Sequence, residues 1–394
     1  MSDAVFTGIT ELFTPARRIE DAALAVRNGR VEWAGRAGEL PGHLSDLPRE
    51  DLGGRGVLPG LVDCHTHLVW AGDRLDEFVL RSRGASYEEI LEAGGGIHHT
   101  VRATVAASEE ELLKLARERA RILLAGGATT LEVKSGYGLD PAAELKMLRV
   151  ARRLAEEGPW RIEPTLLAHV VPPGAARADH VERFCSELIP EVARERLAGA
   201  VDVFCDRGAF TPDEARAILK AALANGLRVK AHAEQLEWTG ATRLVCELGG
   251  LSADHLEQTG PADWAALARS PTMGVLLPGA TVLLRKPFAD VRAMLAAGVK
   301  VAVATDHNPG SSPLYNLFLA LQLASALGGL SVEEALAAGT INAAAALGLD
   351  DVGRIEPGAR ADFLVVDSAH ALEPLYRHGH TPLFGVYVGG KRAA

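Results

Sequence analysis

Two histidines one residue apart, His65 and His67, close the apolar run VLPGLVDCHTH. In an extended strand, residues i and i+2 share a face, so the two imidazoles can reach one common atom. Polar residues of the same kind stand at the ends of later apolar runs. His169 follows IEPTLLA, His232 lies in RVKAHA, His255 in SADHL and Asp306 in VKVAVATDHN. A single histidine in such a place is ordinary hydrogen-bonded packing. Five histidines and an aspartate at corresponding places need another reason. Imidazole and carboxylate together suit a divalent transition metal such as zinc or iron. A metal so held lowers the pKa of its water toward neutrality and makes hydrolytic chemistry accessible.

These residues need a scaffold that brings strand ends together. From residue 57 onward, short apolar or β-branched runs alternate with stretches of helical period. The strands are expected over 57–64, 129–134, 162–169, 201–205, 228–233, 252–256, 273–278 and 299–305. Helical patterns fill the intervals, as at 108–127 and 212–226, the second with Thr211 as N-cap and a glycine at its C-terminus. Eight near-continuous apolar strands alternating with helices describe a parallel sheet buried on both faces, and eight such units point to a closed (β/α)8 barrel. A doubly wound open sheet is the alternative on pattern alone. In a barrel, chemistry sits at the C-terminal ends of the strands, where these histidines stand.

The flanks, 1–56 and 350–394, carry short segments of period two broken by Gly and Pro. They are expected to pair into a small β-sandwich, leaving 57–349 as the barrel. The stretch 91–104, LEAGGGIHHTVRAT, reads as a mobile glycine-rich loop. The whole chain has 394 residues, 48% apolar and 23% charged, with a net charge of −10 and no basic block. That balance argues against nucleic acid or an anionic membrane as partner. No basic-then-apolar leader and no apolar run of about 18 residues is seen. The four cysteines, Cys64, Cys185, Cys205 and Cys246, lack CxxC spacing and read as reduced thiols of a cytoplasmic protein.

The strings LPGLVDCHTH, HTHLVWAGDR, GGGIHHTVRAT, EVKSGYGLD, KAHAEQ, SADHL and TDHNPGSSP, with GRIEPGARADFLVVD near the end, resemble the metal-dependent amidohydrolase superfamily over nearly the whole chain. The resemblance implies a barrel with a β-sandwich built from both chain ends. It points to the histidine-degradation branch, which hydrolyses the small molecule 4-imidazolone-5-propanoate to N-formimino-L-glutamate by attack of a metal-bound hydroxide on the ring amide. It implies His65, His67, His232 and Asp306 as metal ligands, Asp306 also as proton shuttle, and His255 as polariser of the reacting groups. Two-metal relatives carry a bridging lysine at the end of strand 4. VDVFCDRG has none, so one zinc or iron ion is expected. A homodimer is common for such barrels, but no interface is legible.

The remaining candidates form a substrate clamp. Arg74 can fork onto a carboxylate, because its donors are planar and paired; the alternative is a surface salt bridge. Tyr137, in SGYG, can place its hydroxyl over a ring, and His169 can hydrogen-bond it. NPGSS (308–312) precedes a helical pattern starting near Pro313, and its backbone N–H groups are expected to make an anion site. There the resemblance assigns contacts to Asn308, Gly310 and Ser311. Some relatives carry Glu three residues after the strand-5 His, where this chain has Gln235; Gln binds but cannot act as a base. Two rival readings are another amidohydrolase, acting on a different cyclic amide or deaminating an aromatic ring, and a metal-binding barrel without catalysis.

Overall fold

The computed structural model describes residues 3–84 and 95–394. Its barrel consists of β5 (Leu61–Asp63), β6 (Ala128–Lys134), β7 (Arg161–Ala168), β8 (Ala200–Cys205), β9 (Arg228–Ala233), β10 (Ser252–His255), β11 (Met273–Leu276) and β12 (Val301–Val303). They pair in sequence order, all parallel. Each run expected from the sequence supplies one of them. The helix Pro212–Ala224 shows how the outer layer is specified. Thr211 caps it in a reciprocal box with Glu214, and Pro212 starts its first turn. Ala215, Ile218, Leu219 and Ala222 form the buried stripe, the larger two worth about 1.5–3 kcal/mol each. The chain leaves through Gly226 at φ +76°, a conformation that a side chain disfavours.

β12 and β5 close the barrel by isolated bonds instead of a ladder. The Asp306 N–H donates to His65 O (3.0 Å) and the His67 N–H to His307 O (2.8 Å). The Asp63 carboxylate accepts the Thr305 N–H at 3.0 Å and its hydroxyl at 2.6 Å. The seam of the barrel is thus also where the metal-type residues converge.

The second sheet joins both chain ends: β1 (Ala4–Phe13), β2 (Arg18–Arg27), β3 (Arg30–Arg36), β4 (Arg49–Pro59), β13 (Phe363–Val366), β14 (Leu383–Val388) and β15 (Lys391–Arg392). It is one hydrogen-bonded sheet, ordered β15-β14-β13-β4-β1-β2-β3. Phe6 on β1 and Tyr387 on β14 are three strands apart, roughly 14 Å on a flat sheet, yet their rings are 5.4 Å apart. At the far edge, the Val31 N–H reaches Ala359 O at 2.9 Å. The sheet therefore folds over its own apolar core, as a sandwich does.

Two expectations change. The single strand over 57–64 is two, because the chain passes from one sheet to the other at Gly60, whose N–H bonds to Asp362 O at 2.9 Å. A Cβ on Gly60 would stand 2.4 Å from the Thr129 hydroxyl oxygen, so only glycine fits the crossing. The apolar run hides the change because Val57, Leu58, Leu61 and Val62 are all fully buried. The expected loop at 91–104 is a helix from Ile97 to Ala106, while 91–94 lie outside the described residues. Thr100 and Thr104 form that helix's buried face, and the Thr104 hydroxyl accepts the Ala71 N–H at 3.1 Å. A polar buried face gives no apolar period to read. No helix among the described residues is long and apolar enough to cross a membrane.

Candidate metal centre and substrate pocket

His65 and His67 follow β5 and His232 sits near the end of β9. One ring nitrogen of each lies within 4.8 Å of the others, and Asp306 Oδ1 is 3.5 Å from Nε2 of both His65 and His67. All four residues are buried. His65 Nδ1 faces Asp254 Oδ2 at 2.6 Å, and His232 Nδ1 faces Asp202 Oδ2 at 3.0 Å. With the ring proton on Nδ1, Nε2 is left bare, and that of His65 has no hydrogen-bond partner although fully buried. Burial pushes the His65 and His232 imidazoles below their usual pKa and His67 down to about 3. They are neutral, the form that coordinates a metal. Three such imidazoles and a carboxylate fit a transition-metal ligand set, with carboxylates behind two of them as orienting partners. Asp306 is pushed up by burial.

His255 ends β10, with its ring centroid 5.8 Å from that of His65 and 5.4 Å from that of His232. Burial opposes its charge, but Glu257, 3.9 Å from Nδ1, and Asp306 together hold its pKa above the usual value. Both His255 (φ +86°) and Asp306 (φ +52°) adopt left-handed backbone conformations. Such conformations cost of order 1–3 kcal/mol and gather at functional sites.

Tyr137 and His169 flank this cluster. The Tyr137 ring is 5.8 Å from His67 and 5.4 Å from His169, and the His169 ring is 6.1 Å from His67. Burial and the nearby Asp306 push the Tyr137 hydroxyl up, so it stays a donor. The Tyr137 turn is shaped by Glu144, whose carboxylate accepts the N–H groups of Gly136 (2.7 Å), Gly138 (2.7 Å) and Leu139 (2.8 Å). His169 Nδ1 lies 3.0 Å from Gly136 O. A cavity of about 340 Å³ opens beside His169, toward Leu139, Arg183 and Phe184.

Arg74 is largely buried and pairs through Nε with Glu77, so it is not a surface salt bridge. Its guanidinium lies against Gly310, 236 residues on, where a Cβ would stand 3.0–3.2 Å from three of its atoms. The expected anion site of free backbone N–H groups at 308–312 needs correction. Asn308 Oδ1 already accepts the Gly310 and Ser311 N–H groups, each at 2.8 Å. The next helix starts at Leu317, capped by Asn316, and not near Pro313. Asparagine is a turn former as much as a ligand, and here the turn uses its side chain. The loop offers Arg74 instead.

Gln235 lies two residues beyond β9. Its N–H donates to Asp206 Oδ2 at 2.7 Å, and the same carboxylate takes the Leu236 and Glu237 N–H groups. The adjacent carboxylate, Glu234, is committed to Thr239 and Thr242. Sequence reasoning missed Asp202, Asp254 and Glu257, which back the imidazoles, and the buried lysines Lys134 and Lys230. The signal was present: charged residues two apart inside apolar strands, Glu132 and Lys134 on β6, Lys230 and His232 on β9. That spacing faces them all into the barrel.

A parallel eight-stranded barrel carrying such a cluster at its strand ends defines an amidohydrolase, and the model of the amidohydrolase family matches residues 57–392. Among curated proteins, the imidazolonepropionase of Deinococcus radiodurans is 51% identical, with 99% of each chain covered. That of Deinococcus deserti is 50% identical over the whole of both chains. The chain belongs to the amidohydrolase family and, within it, to the imidazolonepropionases. Among solved structures, an adenosine deaminase from Xanthomonas campestris with bound zinc superposes with a TM-score of 0.76 at 21% identity, covering 99% of this chain and 92% of that one. A triazine hydrolase variant superposes at 0.75 and 19% identity, covering 100% and 94%. At these identities the likeness concerns the fold.

Proposed function

We propose that the chain hydrolyses 4-imidazolone-5-propanoate to N-formimino-L-glutamate, a step of histidine degradation. One observation carries the reading. A cluster of three neutral imidazoles and a carboxylate stands at the same barrel mouth as an arginine held against the turn that follows Asp306. The substrate joins the two needs, a ring amide to be opened and a propanoate to be held.

In this reading His65, His67, His232 and Asp306 hold one zinc or iron ion. When bound, the metal supplies a water activated for attack at neutral pH. The Asp306 carboxylate would accept the proton of the attacking water as a C–O bond forms at the ring carbonyl carbon. It then delivers the proton to the ring nitrogen as the C–N bond breaks, so that one water is consumed and the ring opens to a carboxylate and a formimino group. His255, held by Glu257, orients and polarises the carbonyl oxygen. Arg74 binds the propanoate through its terminal nitrogens, since Nε is taken by Glu77. Tyr137, His169 and Gln235 contact the ring. Asn308 sets the turn that brings Gly310 and Ser311 to the substrate. The enzyme works in the cytoplasm, where its four cysteines, all unpaired, stay reduced. Its partner is the small molecule and not nucleic acid or a membrane, and a homodimer is its expected assembly.

Incubation of purified, metal-analysed protein with 4-imidazolone-5-propanoate tests the reading, with the ring-opened formimino product identified by mass spectrometry. No turnover by protein carrying its metal would overturn it.

A further inference from the structure

Behind the metal-type histidines the barrel interior holds five fully buried charged side chains, Glu132, Lys134, Asp202, Lys230 and Asp254, of which the two aspartates meet the imidazoles. Lys134 Nζ lies 2.8 Å from Glu132 Oε2, 2.6 Å from Asp202 Oδ2 and 3.9 Å from Asp254 Oδ2. Lys230 Nζ lies 2.8 Å from Glu132 Oε1, 3.6 Å from Asp254 Oδ2 and 3.0 Å from Cys64 O. Glu132 Oε1 also accepts the Thr165 hydroxyl at 2.6 Å. The oxygen of Asp254 that both ammonium groups approach is the one 2.6 Å from His65 Nδ1. The oxygen of Asp202 that Lys134 meets is the one 3.0 Å from His232 Nδ1.

A cluster serving only to hold the barrel together would be an expensive choice. Removing five charges from water costs several kcal/mol per ion, and well-packed apolar side chains would often do as well. Nor would such a cluster need to share atoms with the imidazoles. What the sharing achieves is geometric. Each aspartate stands between an ammonium group and an imidazole, with the oxygen that faces the ammonium also facing Nδ1, and a carboxylate so placed favours the ring proton on Nδ1. The ring is then fixed in rotation and in tautomer, with Nε2 bare toward the centre.

We infer that Lys134 and Lys230 are positioning residues for the metal centre. Through Asp202 and Asp254 they set the orientation and the Nδ1–H tautomer of His232 and His65 before any metal arrives. The inference rests on the reading of those histidines as ligands. It makes the site preorganised in the metal-free protein, in the manner of a built cofactor site and not one assembled by its ion.

The test uses chelator-treated full-length protein with zinc alone as probe. Imidazole nitrogen NMR should show His65 and His232 as single Nδ1–H tautomers in the metal-free wild type. Lys134→Met should lose that single tautomer at His232 and bind zinc roughly 10–100-fold more weakly in a competition titration, the range for loss of an outer-shell partner. The paired variant Lys134→Met/Glu132→Gln keeps the buried charge balanced and should show the same two changes. Lys220→Met, at an exposed position, should show neither. An Nε2–H tautomer in the wild type overturns the inference, as does wild-type tautomer and affinity in a folded Lys134 variant. Equal weakening in Lys220→Met overturns it too, since the effect would then be general charge and not position. Should neither Lys134 variant fold, the wild-type tautomers decide alone. If the wild type binds no zinc or iron, the ligand reading itself fails and this inference with it.

Discussion

Arg74 packs so closely on Gly310 that a Cβ there would stand 3.0 Å from Nη1 and 3.2 Å from Cζ and Nη2. A Cβ there would crowd the guanidinium by a few tenths of an ångström, and this close approach, not a left-handed backbone, is what the glycine serves. Arg74→Lys keeps the charge but loses the paired donors, and kcat/KM should fall by an amount equivalent to about 1.5–3 kcal/mol, mostly through KM. Gly310→Ala should act in the same direction by displacing the guanidinium. Steady-state kinetics on 4-imidazolone-5-propanoate check both; unchanged KM in Arg74→Lys would remove Arg74 from the site.

Metal content offers a second check. Active protein should carry one transition-metal ion per chain, because the cluster has one set of three imidazoles and a carboxylate and β8 contributes no lysine. His67→Ala should lose the metal and the activity while circular dichroism stays unchanged, since His67 lies at the strand end and not in the apolar core. Two ions per chain, with activity following the second, would contradict the single-metal reading.

The identity of the proton carrier separates Asp306 from Gln235. Asp306→Asn removes a ligand charge and the acceptor together, and should cost about 10²–10⁴-fold in kcat. Gln235→Glu should be tolerated, with only a modest change in the pH–rate profile. Both are to be measured at matched metal content. An active, metal-loaded Asp306→Asn would move the proton to another group.

Glu144 gives a pH dependence of stability. Burial raises its pKa although the Ser135 side chain and the N–H groups of Leu139, Gly136 and Gly138 pull the other way. The folded state therefore holds this proton to higher pH than the unfolded chain does, and stability contributed at low pH is lost as pH rises from about 4.5 through the folded value. Relative to Glu144→Gln, the wild type should lose unfolding free energy across that window, as read by urea denaturation at several pH values. Gln also turns an N–H2 group toward backbone donors, so the Tyr137 turn should loosen and KM should rise. Parallel pH profiles for the two proteins would show that Glu144 does not titrate there.

Much of the scaffold is legible in the chain's local patterns. The barrel strands are apolar over short lengths and the helices carry a clear stripe, as at Ala215, Ile218, Leu219 and Ala222. Both periods are local consequences of which faces are buried. The strand-end histidines are legible for the same reason, because a parallel barrel gathers the C-terminal ends of its strands at one rim. Where local pattern is silent, the sequence misleads. The crossing at Gly60 leaves no trace in a run that is buried in both sheets, and Ile97–Ala106 buries threonines where an apolar stripe would have announced a helix.

The sequence by itself determined the order of the barrel's strands and helices, apart from the crossing at Gly60 and the helix Ile97–Ala106, and the residue types at the barrel mouth, because periodicity and side-chain chemistry are carried by neighbouring residues. Only the tertiary structure decided which atoms meet. Asp254 is 189 residues from His65, and Arg74 is 236 from Gly310; nothing local encodes either contact. The same holds for 308–312, whose residue types suit an anion site or an asparagine turn equally well. The choice fell to the turn because Asn308 Oδ1, held in place by the Asp306 main chain, reaches the two N–H groups first. Distances across a closed barrel follow from how eight strands twist and close together, and that is a property of the whole chain.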